Sequence, residues 1–414
     1  MVPLSPQQPR DSFDELDIGR LVERQSEKWQ RHPADVLPSF IAEMDFPVAR
    51  PIVEAIGGHL ARGGDFGYAF SYTEQTAVHR TLAEWAHKNY SWMVPPEQIV
   101  LFPDVMRAVE VTLIQLTSPR DAVVIDVPAY PAYFDAVPGL GRHLIRNPMI
   151  LRNGVWHADM AGLERAFRAG ASAYILCNPH NPTGKVFTAQ ELQRILALAA
   201  AYRVLVISDE VHAPLVYRPH RHIPVASLPQ ANGVRIVTAI SATKGWNIAG
   251  LKCGFAISNS SHVHEHLMSM PPRARDGVGI LGITASIAAF ANSHEWLQKT
   301  LNYLDGNRRY VSALLRCFGG KIGYVPPQGT YLAWLDCRKL AENIHGADIC
   351  GLFLERGRVA LSNGDEFGAP GFLRMNLATS RDILVEKIHR MALATGFDCE
   401  LIDCQERIEL AGRD

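Results

Sequence analysis

Short apolar runs rich in β-branched residues recur along the middle of the chain, separated by stretches in which apolar residues have helical spacing. Such runs are typical of strands that are buried on both faces, as in parallel sheets covered by helices. This alternation predicts an α/β fold, in which ligands bind beside the loops that follow the strands. The runs are residues 99–102, 122–125, 172–177, 204–207, 235–240 and 253–257.

One of these loops carries a candidate catalytic residue. Lys244 follows the strand predicted at 235–240, within the segment 241–250. A lysine withdrawn from water loses its proton readily, which is what a Schiff-base lysine requires. A lone lysine after a strand is more often a surface residue, so the rest of the chain has to decide between the two.

Polar side chains also follow two other predicted strands. Asn181 lies in the loop 178–184, where two prolines stiffen the backbone and favour a positioned polar group. Asp209 ends the next strand, where a carboxylate is costly unless it meets a cation or hydrogen-bond donors. It therefore either caps a neighbouring loop or faces a positively charged ligand. His212 could contact the same ligand, although a lone histidine is more often a packing residue.

Three further features leave two interpretations open. Tyr130 and Tyr133 stand beside prolines, where they suit stacking on a planar ring or filling a core. The helix predicted to begin near residues 103–108 offers free N–H groups to a phosphate, or forms a plain turn. Arg374 interrupts an apolar strand, and a buried guanidinium needs either an anionic ligand or an internal salt bridge.

Composition excludes several classes of function. The 414 residues are 47% hydrophobic and 20% charged, with Lys+Arg 41 against Asp+Glu 42. This balance lacks the basic excess that favours nucleic acid or anionic membranes, so neither partner is expected. No apolar run approaches 18 residues and the N-terminus has no apolar export segment, so no membrane span is expected.

Cysteine and histidine patterns favour neither a disulfide framework nor a metal site. The seven cysteines are scattered and contain no CxxC pair, which favours a reducing cytoplasm. His262, His264 and His266 lie close together but lack the HExxH order. We interpret them as a solvated helix face and expect no metal.

The polar residues at the strand ends occur within motifs that resemble one family. They are similar to those of the fold-type I pyridoxal-phosphate (PLP) enzymes, in the class I and II aminotransferase family. The spacing agrees, with 28 residues from Asn181 to Asp209 and 35 from Asp209 to Lys244. The motifs are NPHNPTG (178–184), SDEVH (208–212), SATKGWNIAGLKCG (241–254) and LRMNLA (373–378).

The resemblance implies an architecture of two domains. A large PLP-binding domain, expected at residues 51–295, would hold a mostly parallel seven-stranded sheet flanked by helices. Residues 1–50 would form an N-terminal arm and part of a smaller α/β domain. Residues 296–414 would supply an interdomain helix and the rest of that domain. A homodimer is also implied, in which Tyr68 reaches the phosphate in the neighbouring site.

The resemblance also implies a role for each site residue. Lys244 would bind PLP covalently and remove the Cα proton of an amino-acid substrate, while Asp209 would pair with the pyridine nitrogen. Arg374 would bind the substrate α-carboxylate. The other implied contacts are Tyr130 stacked on the ring as a catalytic residue, Asn181 at the ring 3-oxygen and the substrate, His212 near that oxygen, and Val105, Met106, Ser241, Thr243 and Lys252 at the phosphate.

Further motifs resemble the cystathionine β-lyase branch, which contains carbon–sulfur lyases. The resemblance implies cleavage of L-cystathionine or a related cysteine S-conjugate to a thiol such as homocysteine, with pyruvate and ammonia. An aminotransferase is the alternative, and a regulatory protein-binding role is a remote one. Asp104 and Lys252 depart from the family's usual glycine and arginine, which bears on the phosphate contacts. The branch motifs are AEMDFP (42–47), DFGY (65–68), PDVMRAV (103–109), VPAYPAY (127–133), DEVH (209–212) and QGTYLAWLD (328–336).

Overall fold

A computed structural model describes residues 13–64, 66–67, 77–274, 277–344 and 346–397. The strands are β1 (Leu37–Pro38), β2 (Ile99–Phe102), β3 (Ala122–Val127), β4 (His143–Pro148), β5 (Ile150–Arg152), β6 (Val155–His157), β7 (Ala171–Cys177), β8 (Leu205–Asp209), β9 (Ile236–Ile240), β10 (Gly254–Ser258), β11 (Gly323–Tyr324), β12 (Leu332–Asp336), β13 (Val359–Ala360), β14 (Ser362–Asn363) and β15 (Phe372–Asn376). The helices are α1 (Ile18–Val22), α2 (Glu27–Gln30), α3 (Arg50–Ala61), α4 (Ala77–Tyr90), α5 (Val105–Leu116), α6 (Pro131–Gly139), α7 (Met160–Arg168), α8 (Ala189–Tyr202), α9 (Ser261–Met268), α10 (Ile280–Asn292), α11 (His294–Leu314), α12 (Arg338–Asn343), α13 (Ile349–Glu355) and α14 (Arg381–Ala394).

The larger sheet has seven strands in the order β2-β10-β9-β8-β7-β3-β4. Only β10 runs antiparallel to its neighbours, β2 and β9. Parallel pairing joins β9, β8, β7, β3 and β4. The predicted α/β architecture with a mostly parallel seven-stranded sheet is therefore confirmed.

Helices cover both faces of this sheet. Alternate residues of each strand point to opposite sides, and both sets are apolar, so both faces have to be buried. Ile175 and Ile207 pack in a core with residues of α5 and α9. Tyr174 and Val206 pack on the other face with residues of α7 and α8. Burial on both faces explains the near-continuous apolar runs in the sequence.

Local signals in the sequence set the helix boundaries. A capping box begins α8, with the side chains of Thr188 and Glu191 each bonding the other's backbone. Helix α3 begins at Arg50, with Pro51 in its first turn. Proline favours that position because its missing N–H has no helical partner there.

A second, four-stranded sheet forms after the long helix α11, in the order β11-β12-β15-β14 with antiparallel pairs. Residues of α11, α13 and α14 pack with it in a separate core. The N-terminal segment joins this part of the chain through the parallel pairing of β1 with β13. The domain boundaries near residues 50 and 295 stay a prediction.

Within the described part of the chain, no helix is long and apolar enough to cross a membrane. His262, His264 and His266 lie on α9, as expected. The described residues contain no group of three or more His, Cys, Asp or Glu side chains that could hold a metal ion.

Candidate active site

A cavity of ≈ 290 Å³ lies beyond the carboxyl ends of the central parallel strands and beside Arg374 of the smaller sheet. Parallel strands deliver their following loops to one edge of the sheet, which is where ligands bind in such folds. The cavity collects most of the site residues predicted from the sequence. Those that line it are Val105, Met106, Tyr130, Asn181, Asp209, His212, Thr243, Lys244, Lys252 and Arg374.

Lys244 lies four residues beyond the end of β9 and is partly buried in the cavity wall. Its Nζ donates a hydrogen bond to the Ala42 carbonyl oxygen at 2.9 Å. Burial, followed by the nearby charge of Arg374, lowers the pKa of Lys244 to about 8. A free amine is therefore accessible near neutral pH, as a nucleophile or a general base requires.

Asp209 is buried at the end of β8, where both of its oxygens accept hydrogen bonds. Tyr133 Oη donates to Oδ2 at 2.5 Å, and the Val211 backbone N–H donates to Oδ1 at 3.1 Å. Burial raises the pKa of Asp209, while the Tyr133 hydrogen bond opposes that rise. A carboxylate accepts at about four positions, so Asp209 retains capacity for a cationic ligand.

Arg374 is buried on β15 and bonds to neutral oxygens. Its Nη1 donates to Asn181 Oδ1 at 3.0 Å, and its Nη2 donates to the Phe40 carbonyl at 2.7 Å. Burial lowers the pKa of Arg374 to about 10. No carboxylate of the described residues forms an ion pair with it, and its Nε has no partner. The internal salt bridge is thus not seen, and the buried guanidinium is suited to an anionic ligand.

The N-terminus of α5 forms another wall of the cavity. Asp104 caps the helix, with Oδ1 accepting from the Arg107 backbone N–H at 2.9 Å. Its other oxygen lies 3.1 Å from Lys252 Nζ. Val105 and Met106 follow the cap at the positive end of the helix dipole, where an anion is stabilised. Lys252 can neutralise a phosphate bound here, but the Asp104 carboxylate, which forms an ion pair with Lys252, would compete with that phosphate.

Ser241 is the exception among the described candidates because it does not line the cavity. Its hydroxyl donates to the Cys253 carbonyl at 2.6 Å and accepts from the Thr243 backbone N–H at 3.1 Å. The only proton of the hydroxyl is thus given to the loop, in place of the phosphate that the resemblance implies. Tyr68 lies outside the described residues.

Tyr130 and His212 complete the polar lining. Tyr130 is the residue before α6, and its ring meets that of Tyr133 edge to face. Burial raises the pKa of Tyr130. Burial also lowers the pKa of His212 to about 3, so its imidazole is neutral at working pH. The buried Nδ1 of His212 has no hydrogen-bond partner among the described residues, which favours a polar ligand in the cavity.

Two contributions were not recognised in the sequence. The sequence predicts that Tyr133 either stacks on a planar ring or fills a core, whereas its hydroxyl bonds Asp209. The main chain of the segment 39–46 was also missed, although the Ala42 carbonyl bonds Lys244. Asn376 bonds this segment, and the sequence does carry a signal for it, because alternate residues of a strand share a face and Asn376 is two residues after Arg374 on β15. A main-chain carbonyl, by contrast, leaves no signature in the sequence.

These residues fit PLP in charge and in hydrogen bonding. A buried carboxylate at Asp209 matches a protonated ring nitrogen, the α5 N-terminus with Lys252 matches a phosphate, and Lys244 lines the same cavity. The unpaired His212 Nδ1 and Arg374 Nε are left for polar atoms of a ligand. Fold and site together define a PLP-dependent enzyme of fold type I.

Comparison with known proteins identifies the family. The sequence profile of the family "Aminotransferase class I and II" matches residues 43–390. The chain therefore belongs to the class I and II aminotransferase family.

The similar proteins include lyases and an aminotransferase-like structure. A Mycobacterium leprae (strain TN) protein, provisionally named a cystathionine β-lyase, is 39% identical over 92% of this chain and 98% of its own length. Cystathionine β-lyase of Corynebacterium glutamicum is 33% identical over 92% and 99% of the two chains. A PLP-bound structure from Clostridium difficile 630, provisionally named an aminotransferase, has a TM-score of 0.86 at 28% identity and covers 93% and 100% of the chains.

Proposed function

We propose that this protein is a PLP-dependent carbon–sulfur β-lyase that cleaves L-cystathionine or a related cysteine S-conjugate. The products would be a thiol (homocysteine from cystathionine), pyruvate and ammonia. The observation that carries the proposal is the cavity in which Lys244, Asp209 and Arg374 meet. The relatives named cystathionine β-lyase, which match nearly the whole chain, support the lyase over other reactions of the family.

The substrate would be held by its carboxylate. Arg374 would bind the α-carboxylate through paired N–H groups, and the charge-assisted bonds gain strength in a site that excludes water. Asn181, bonded to Arg374 Nη1, would fix the orientation of the guanidinium and contact the substrate. With its carboxylate at Arg374, an amino acid would have its Cα in the cavity that Lys244 also lines.

Proton transfer would depend on Lys244 and on the charge of Asp209. When bound, PLP withdraws electrons from Cα, so that the Cα–H bond becomes acidic. Lys244 would accept the Cα proton at Nζ, and its lowered pKa keeps the amine available. Asp209, oriented by Tyr133, would hold a proton on the pyridine nitrogen. Loss of the Cα proton then lets sulfur on Cβ leave as a thiolate.

The remaining candidates would hold the cofactor. We assign Tyr130 to the ring face, and His212 and Asn181 to the ring 3-oxygen. We assign Ser241 to the shape of the loop because its proton is donated to Cys253. The proposed phosphate ligands are Val105, Met106, Thr243 and Lys252, with Tyr68 from a second subunit.

An aminotransferase is the second candidate, favoured by the family profile itself. The two reactions share the loss of the Cα proton and differ in the next step, which is either departure of sulfur from Cβ or transfer of the amino group. Purified enzyme with L-cystathionine and no keto acid should release pyruvate at a steady rate. Amino transfer that requires an added keto acid, without pyruvate from cystathionine, would establish the aminotransferase instead.

A homodimer is the assembly that we propose. Three large apolar side chains on or near α3 are exposed, at 57% for Val53, 50% for Leu60 and 65% for Phe66. Val53 and Leu60 lie seven residues apart and therefore on one face of α3, and exposed apolar side chains grouped on one face favour a protein interface. Light scattering after size exclusion should give twice the 45.8 kDa mass of the chain, and a mass of one chain would refute the dimer.

The location that we propose is the cytoplasm. Free thiols at Cys177, Cys253, Cys337 and Cys350 support a reducing compartment. Cell fractionation with activity in the soluble cytoplasmic fraction is the expected result, and activity in an exported fraction would contradict it.

A further inference from the structure

Residues 39–46, here called the N-terminal strap, pass along the cavity between the Lys244 loop and the smaller sheet. Ile41 and Ala42 of the strap line the cavity. The Ala42 carbonyl accepts hydrogen bonds from Lys244 Nζ at 2.9 Å and from Tyr331 Oη at 3.0 Å. A carbonyl oxygen has two lone pairs, so both acceptor positions of Ala42 are used.

An asparagine of the smaller sheet holds the strap on both sides of Ala42. Asn376 Nδ2 donates to the Ile41 carbonyl at 2.6 Å and to the Glu43 carbonyl at 2.7 Å. Asn376 is buried on β15, two residues after Arg374. The carbonyls that flank Ala42 are thus fixed by one side chain.

A second asparagine, from the Lys244 loop, holds the next part of the strap. Asn247 Nδ2 donates to the carbonyls of Met44 at 2.9 Å and Phe46 at 3.4 Å, and its Oδ1 accepts from the Met44 N–H at 2.8 Å. Asn247 has a φ of 57°, a left-handed conformation that asparagine tolerates better than most residues. Because Asn247 is three residues after Lys244, it ties the strap to the loop that carries the lysine.

A buried ion pair anchors the same strap from behind. Lys28 Nζ lies 2.9 Å from Asp45 Oδ1, which also accepts from Trp29 Nε1 at 2.8 Å. Lys28 Nζ donates in addition to the Glu43 carbonyl at 3.0 Å. Both charged side chains are fully buried, so breaking the pair would leave an uncompensated charge.

We propose that Asn247 and Asn376 are positioning residues for proton transfer, acting together to hold the Ala42 carbonyl against Lys244 Nζ. The inference rests on the proposed function, in which Lys244 takes the Cα proton. A neutral amine donates one N–H to Ala42, which orients its lone pair. The bond to the ammonium formed by proton transfer is charge-assisted and therefore stronger, so the Ala42 carbonyl, taken alone, favours the protonated amine.

Ile41 and Ala42 line the cavity beside Lys244, so the strap also covers part of this lysine from water. Burial is the largest influence on the lowered pKa of this lysine, ahead of Arg374. Loosening the strap would admit water and raise the pKa from about 8 toward the ordinary lysine value, because relief of burial outweighs the loss of one acceptor. The other charged or titratable groups that act on Lys244 or line its cavity are Glu43, Asp104, Tyr130, Tyr133, Cys177, Asp209, His212 and Lys252.

The test compares Asn247→Ala with a matched control, Asn259→Ala. Asn259 makes the same three bonds, with Nδ2 donating to the carbonyls of Ala231 and Val234 and Oδ1 accepting from the Ile236 N–H. It follows the far end of β10, away from the cavity. Both variants lose the same kinds of side-chain bond, but alanine at 247 must also adopt a left-handed backbone. Asn247→Gly, which loses the same bonds and accepts that backbone, is therefore measured beside Asn247→Ala and should give the same result.

Two quantities are measured on each variant. The first is the Lys244 pKa in PLP-free protein, from the pH dependence of Lys244 acetylation followed by peptide mass spectrometry. The second is kcat and KM for pyruvate release by the PLP-loaded enzyme. For Asn247→Ala we expect a raised Lys244 pKa and a kcat lower by about tenfold or more, with little change in KM. For Asn259→Ala we expect wild-type values of the Lys244 pKa and kcat.

An unchanged Lys244 pKa or kcat in Asn247→Ala, or equal changes in the control, would overturn the proposal. If Asn247→Ala does not fold, Asn376→Ser, which loses both bonds to the strap, is judged by the same Lys244 pKa and kcat. A wild-type enzyme that releases no pyruvate would refute the proposed function. The acetylation measurement would still decide whether the strap controls the pKa of Lys244.

Discussion

Asp209 and Tyr133 show how single side chains set the charge of the site. The Asp209 carboxylate is buried, which alone would favour its protonated form, and the Tyr133 hydroxyl supports the ionised form by donating to Oδ2. Lys244 is shifted in the opposite sense, because burial favours its neutral amine. Burial thus favours the neutral amine of Lys244, and the Tyr133 hydrogen bond partly offsets the effect of burial on the Asp209 carboxylate.

Tyr133→Phe should weaken the Asp209 carboxylate as a partner for the ring nitrogen. Without its donor, the pKa of Asp209 rises further. Loss of a hydrogen bond to a charged group costs about 1.5–3 kcal/mol, so we expect kcat to fall by about tenfold or more. The measurement is pyruvate release at saturating PLP.

Tyr174→Phe is the matched control for this prediction. Tyr174 donates to Asp126 Oδ2 at 2.5 Å in a second buried tyrosine–aspartate pair, but neither residue lines the cavity. Tyr174→Phe should lower thermal stability while leaving kcat near the wild-type value. Equal losses of kcat in the two variants would show that Tyr133 acts only through stability.

At the scale of elements, the cavity depends on a close approach of β10 to the start of α5. A Cβ added at Gly254 would lie 2.6 Å from the Asp104 carbonyl carbon, closer than such atoms can approach. Gly254 therefore lets the strand reach the helix N-terminus proposed to bind the phosphate. The apolar pattern of β10 and the helical spacing of α5 do not predict this contact between the strand and the helix end.

Gly254→Ala should displace the N-terminus of α5 and weaken PLP binding, by about tenfold or more if one good anion contact is lost. Equilibrium dialysis of PLP against the variant measures the effect. Gly250→Ala serves as the control, because an added Cβ there meets nothing within 4 Å. Equal PLP affinities for the two variants would refute the role given to this contact.

For the whole molecule, the parts that could be predicted are those in which side chains carry the information. The seven-stranded sheet was predictable because burial on both faces leaves long apolar runs. Lys244 and Asp209 were predictable because polar residues at strand ends interrupt that pattern. The antiparallel direction of β10 and the Ala42 carbonyl were not, because periodicity has no direction and the backbone is common to all residues.

The stability of the whole chain should rise with pH because of Lys387, which is fully buried on α14. Burial lowers the pKa of Lys387 to about 7, well below its value in the unfolded chain. Between these two values the unfolded state binds more protons, so the free energy of unfolding increases with pH. The penalty is fully present below about pH 7 and is relieved above about pH 10.4.

Lys387→Met should therefore flatten this pH dependence, by a few kcal/mol across the window. The variant is compared with wild type by chemical denaturation at about pH 6.5, below this window, and at about pH 9.5, near its upper end. Lys88→Met, at an exposed position of α4, is the control and should retain the wild-type slope. A wild-type slope in Lys387→Met would show that Lys387 does not titrate in this window.

The central claim, a PLP-dependent β-lyase, is tested most directly by the products of L-cystathionine alone. The PLP-loaded enzyme should release homocysteine, pyruvate and ammonia in equal amounts without any keto acid, and Lys244→Ala should abolish this release. Lys339→Ala, at an exposed position, should retain it. Absence of pyruvate from the wild-type enzyme, or an undiminished rate in Lys244→Ala, would contradict the account.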